Sequence, residues 1–133
     1  MKFLLTFTSA ILISSSAMAA APAFQIKDNS PANLMPAGSA QRIWTENLPA
    51  KLALQFPVKR FGYISEVNGG FDASKHCIVV ARAMMVPMSG KKFIYEPKKT
   101  SVTFATQADA TVEQCSALAK SKLTEAVQSV AAN

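Results

Sequence analysis

Two cysteines, one histidine, six methionines and a run of lysines set among aromatics are the residues of this chain whose types could do chemistry. Cys77 and Cys115 form an even pair. In an oxidising compartment such a pair reads as one disulfide, because two cysteines allow a single intramolecular pairing. Closing the loop from Cys77 to Cys115 corresponds to about 4 kcal/mol in the chain-entropy picture, a large share of a small domain's stability. Redox-active thiols are set aside, since the spacing is far from Cys-x-x-Cys. His76 lies beside Cys77. Neighbours on a strand point to opposite faces, so the pair reads as a surface histidine next to a structural cysteine and not as a nucleophile with its base.

Met84, Met85 and Met88, with Met35 upstream, are thioethers of the kind that suit Cu(I). On a strand Met84 and Met85 diverge, and methionine is an ordinary gap-filler, so packing is the expectation. One histidine without clustered carboxylates makes no zinc site by spacing. Asp28 and Asp72 are isolated acids, and the chain lacks a Gly-rich phosphate loop, a serine elbow and a carboxylate pair. The expectation is therefore a protein that is not an enzyme, with no catalytic residue, no metal and no cofactor. What remains is Lys91, Lys92, Lys98 and Lys99 flanking Phe93 and Tyr95. A basic cluster interleaved with aromatics can hold an anionic polymer or surface. The competing role for such lysines is to guard a sheet edge against pairing.

The elements that must position these groups follow from apolar spacing. Trp44, Leu48, Leu52 and Phe56 recur every four residues with Ile43 alongside, predicting an amphipathic helix capped by Ser39. Pro49 should kink it or divide it into two short helices, the second starting near Leu48 or Pro49. Val58 to Val67 reads as a strand, and Asn68-Gly69-Gly70 as the turn after it. Cys77 to Val86 is the strongest strand, with Cys77, Val79, Ala81, Ala83 and Met85 on one face. Phe93 to Glu96 and Ser101 to Thr106 are shorter candidates around Pro97, either a tight hairpin or one irregular strand with a bulge at the proline.

A last helix begins between Thr106 and Thr111, where Thr106 with Asp109 and Thr111 with Gln114 both fit a capping pattern. It runs to Ala131 with Val112, Cys115, Leu118, Ala119, Leu123, Ala126, Val127 and Val130 as its buried stripe. Cys115 on that stripe and Cys77 on the small-residue strand face are placed to be joined. The order α-β-β-β-α predicts an α+β two-layer sandwich: an antiparallel three- to four-stranded sheet with an N-terminal and a C-terminal helix packed on it.

The start of the chain sets the address. Met1-Lys2 is followed by an apolar run from Phe3 to Ile13 and by Ala17-Met18-Ala19, the pattern of a secretory signal peptide over residues 1–19. The run is too short to span a bilayer, and no later stretch approaches that length. No cysteine stands at the cleavage point to take a lipid. The mature chain is expected to begin near Ala20, to be periplasmic or secreted, and to carry a net charge of +5 once Lys2 is lost from the formal +6. Residues 20–38, with Pro22, Pro31 and Pro36 among Asn29, Ser30, Asn33 and Gly38 and no apolar period, read as a flexible arm, and residues 39–133 as a single domain. The same element order occurs in double-stranded-RNA-binding domains, but Asp109 and Glu113 make the start of the last helix acidic, so nucleic acid is not the expected partner. The functional expectation is a non-catalytic binding or accessory protein whose partner is a protein or an anionic component of the cell envelope. The alternative is an inhibitor or immunity-type protein that blocks an exported enzyme.

Overall fold

A computed structural model describes residues 23–132, and the expected signal peptide lies outside the described residues. The element order is β1 (Gln25–Asp28), α1 (Ser39–Asn47), α2 (Leu52–Gln55), β2 (Phe61–Phe71), β3 (Cys77–Ser89), β4 (Lys92–Phe93), β5 (Lys99–Gln107) and α3 (Val112–Ala131). The fold is α+β, with a mixed sheet rather than a purely antiparallel one and with helices packed on it. β2, β3 and β5 run antiparallel in sequence, β4 pairs with the end of β3, and β1 adds to the far edge of β2 in parallel.

β1 corrects the reading of residues 20–38 as a free arm. Ile26 stands opposite Tyr63 and Asp28 opposite Ser65, and the Phe24 ring meets Tyr63 edge-on at 5.6 Å. One carboxylate stitches the strand down: Asp28 Oδ1 accepts from Ser30 Oγ at 2.6 Å and from the buried Ser65 Oγ at 3.1 Å. Ser30 Oγ in turn accepts from the Val67 N–H at 2.9 Å. Further along, Leu34 and Met35 turn into the core, and Ser116 Oγ on α3 donates to the Leu34 carbonyl at 3.0 Å.

The first helix divides as the proline requires. α1 buries Ala40, Ile43 and Trp44, its C-cap Leu48 returns an N–H to the Trp44 carbonyl, and α2 starts at Leu52 after Pro49. The expected cap is displaced by one residue, for Gly38 is the N-cap and Ser39 is already helical. α3 is capped as one of the two patterns predicts. Thr111 Oγ1 accepts from the Gln114 N–H at 3.1 Å, and Gln114 Oε1 accepts from the Thr111 N–H at 2.8 Å. Its stripe holds from Cys115 to Val130, but Val112 in the first turn is 63 % exposed.

β2 runs on through Asn68-Gly69-Gly70, which was expected to turn. Gly69 lies so close to β3 that a Cβ there would collide with the Ile78 carbonyl, so the glycine marks a close approach of two strands. The actual turn is Asp72 to His76, where Asp72 Oδ1 accepts from the Ser74 and His76 N–H groups at 2.9 and 2.8 Å. Of the two readings around Pro97 the structure takes the irregular strand. Ile94 N–H donates to the Pro87 carbonyl and Lys98 N–H to the Met85 carbonyl, so β4 and β5 follow the same partner with a bulge between them.

The core lies between the helices and the inner face of the sheet. Cys77, Val79, Ala81, Ala83 and Met85 are fully buried against Cys115, Ala119, Leu123, Ala126 and Val127. Small residues in the middle of β3 let α3 approach closely. The disulfide Cys77–Cys115 joins the two layers with Cα atoms 5.6 Å apart. Tyr63, whose phenol burial pushes up to about 12, packs on Trp44 with ring centroids 4.9 Å apart.

Candidate functional site

Lys91 and Lys92 stand exposed at the turn joining β3 to β4. The Met88 N–H donates to the Arg60 carbonyl at 2.7 Å, extending the β2–β3 ladder beyond its assigned end. That bond brings Lys59 and Arg60, both exposed, to the same end of the sheet. Pro57 sets the pair there, since its carbonyl accepts from the N–H groups of Arg60 and Phe61 in a tight turn before β2. The sequence reading missed Lys59 and Arg60. Only the β2–β3 register, in which Phe61 pairs with Pro87, makes them neighbours of Lys91 and Lys92.

The six residues singled out in the sequence are divided by strand alternation. Lys98 is exposed, whereas Lys99 turns to the helix side and its Nζ lies 5.2 Å from the centre of the Phe56 ring. A cation over an aromatic face and sheltered from water is held in place, which takes Lys99 out of any surface cluster. Phe93 is also withdrawn. Its ring packs on Ile64, Met84 and Val86, forming a small second core on the outer face of the sheet. Gly62 makes room for it, because a Cβ there would stand 2.6 Å from the ring. Tyr95 reaches further across the same face, to β1, where its hydroxyl accepts from Lys27 Nζ at 2.9 Å. That lysine's hydrogen bond holds the Tyr95 phenol below its ordinary range. Of the six, then, Lys91, Lys92 and Lys98 face water as free cations, Tyr95 is exposed but engaged, and Glu96 is the acid among them.

The remaining candidates resolve into structural parts. Cys77 is fully buried in the disulfide, and His76 turns away from it to place Nδ1 3.2 Å from Asp72 Oδ2. Met35 and Met85 are in the main core, whereas Met84 is in the outer one and Met88 Sδ lies beside Gly62 and the Phe93 ring, so the four thioethers are divided between the two faces of the sheet. Among the described residues no three His, Cys, Asp or Glu side chains are placed to hold a metal ion. The recesses among the described residues include one of about 310 Å³ lined by Asn47, Pro49, Lys51 and Gln128 and another of about 290 Å³ lined by Gly69, Gly70, Phe71 and Asp72. Neither gathers a base beside a nucleophile. Among the described residues no helix is long and apolar enough to cross a membrane.

No family model matches this chain, and no curated protein matches it. Among solved structures, the dodecamer of a PelC point variant from Paraburkholderia phytofirmans aligns over 86 % of this chain and 96 % of its own, with a TM-score of 0.46 and 15 % identity. A second PelC dodecamer from the same organism aligns over the same shares with a TM-score of 0.42 and 12 % identity.

Proposed function

We propose that this chain is a non-catalytic binding protein that works after export, and that the basic end of its sheet holds an anionic partner. The observation that carries the reading is the Met88–Arg60 backbone bond, which gathers Lys59, Arg60, Lys91 and Lys92 around one sheet end. Four cations on two rigidly paired turns raise the local potential together, and an anionic polymer or lipid headgroup meets them without an ordering cost in the protein. The signal-like start of the chain and the buried disulfide support an oxidising compartment outside the cytoplasm.

The test is co-sedimentation of the mature, disulfide-bonded protein with vesicles containing anionic lipid, with neutral vesicles, and with a soluble polyanion. Retention on the anionic probes should fall as salt shortens the screening length from about 8 Å at physiological ionic strength. Replacing Lys59, Arg60, Lys91 and Lys92 by glutamine should lower retention by about tenfold or more, at roughly 1 kcal/mol per cation near an anionic surface. A control changed at Lys120 and Lys122 on α3 should bind as the wild type does. Equal retention of the quadruple variant would refute the assignment.

A further inference from the structure

The two edges of the sheet are built differently. β1 is a four-residue edge that carries Lys27 and Asp28. β5 is a nine-residue edge with its alternate residues exposed, and it pairs with β3 from Lys99 to Gln107 without a bulge. Between Lys99 and Asp109 it holds no charge and no proline. Among the described residues no strand covers its outer side. Val102 is 54 % and Phe104 62 % exposed on its outer face, continuous with Val80 of β3 opposite Phe104. Long, straight, uncharged edges offer backbone donors and acceptors to another strand, and proteins that must stay apart interrupt them. This one is uninterrupted.

We infer that β5 pairs antiparallel with β5 of a second copy of this chain, joining two sheets into one across a two-fold axis. The ends of the strand argue for a second copy and for the antiparallel sense. Exposed Lys98 precedes β5 and exposed Asp109 follows it. Antiparallel pairing centred on Thr103 sets Lys98 of each copy opposite Ala108 of the other and one residue from its Asp109, twice by symmetry. It also sets Val102 opposite Phe104, and Lys99 opposite the neutral Gln107. Parallel pairing would instead oppose lysine to lysine. The proposal is independent of the anion-binding reading, because Lys59, Arg60, Lys91 and Lys92 lie off β5.

Sedimentation equilibrium of the mature, disulfide-bonded protein should show a reversible monomer–dimer equilibrium. Phe104→Lys should weaken it by about tenfold or more through two symmetry-related cross-strand contacts, with the melting temperature of the monomer retained. Val102→Lys should do the same and serves if the first variant fails to fold. Lys98→Asp should weaken the dimer, and adding Asp109→Lys to it should restore association, as coupling across the interface demands. Lysine is acceptable at that positive-φ position, since Lys75 occupies one with φ 60° against 51° for Asp109. A protein that stays monomeric to millimolar concentration overturns the proposal, as does a dimer indifferent to Phe104→Lys and Val102→Lys. Failure of the charge swap to restore association overturns the antiparallel register.

Discussion

Asp72 shows how much one exposed side chain can organise. Its Oδ1 takes two backbone N–H groups and its Oδ2 faces His76, closing the turn that joins the two longest strands. Chief among these, the His76 backbone bond holds its carboxyl below the ordinary value of 3.8. A folded-state pKa below the unfolded one contributes stability that is fully present above the unfolded pKa. That contribution is lost as pH falls through the folded pKa. Asp72→Asn keeps an acceptor oxygen but loses the charge, so it should lower the melting temperature at neutral pH, with the gap to wild type closing below pH 3.8. A gap that persists unchanged through the acid range would mean that the charge plays no part. The lysine cluster was legible at this scale only in part. Lys91 and Lys92 lie where the turn signals put them, but Lys99 and Phe93 are withdrawn by strand alternation and by Gly62, whose role depends on the distant Phe93 ring.

Elements differed in legibility according to how many residues repeat their pattern. β3 and α3 run for 13 and 20 residues, so their faces were set by many apolar positions. β1 has four residues and a parallel partner in β2, which leaves no period and no hairpin turn to read. The run through Gly69-Gly70 was hidden because a close strand contact and a turn use the same residue type. β1 nevertheless contributes a ladder, the Phe24–Tyr63 contact and the Asp28–Ser30–Ser65 network. Removing residues 20–30 exposes the edge of β2 and leaves the buried Ser65 hydroxyl without Asp28. That should cost about 2 kcal/mol or more in urea unfolding. A loss of a few tenths would return this segment to the status of a linker.

For the molecule as a whole, the disulfide and the β3–α3 packing express the same design, and their agreement was readable because both cysteines fall on the facing apolar surfaces. Replacing Cys77 and Cys115 together by alanine should keep the fold but lower its stability by about 3–4 kcal/mol. For a domain of this size that is a fall in melting temperature of roughly 12 °C or more. An unchanged melting temperature would show that the loop entropy is already restricted in the unfolded chain. The mixed sheet, by contrast, depends on the one parallel pairing at β1 and was not accessible from element order alone.

The placement of α3 also has a consequence for the order of events in time. This last element supplies one wall of the core, holds the Leu34 carbonyl through Ser116, and carries the second cysteine. A nascent chain that ends at Gln107 has the described strands and α1, but lacks the wall that faces the small residues of β3. The β3 part of its inner face cannot be covered until α3 is released, and non-local closure of this kind is slow. A chain threaded N-terminus first through a narrow channel therefore stays pliant until α3 follows the strands through.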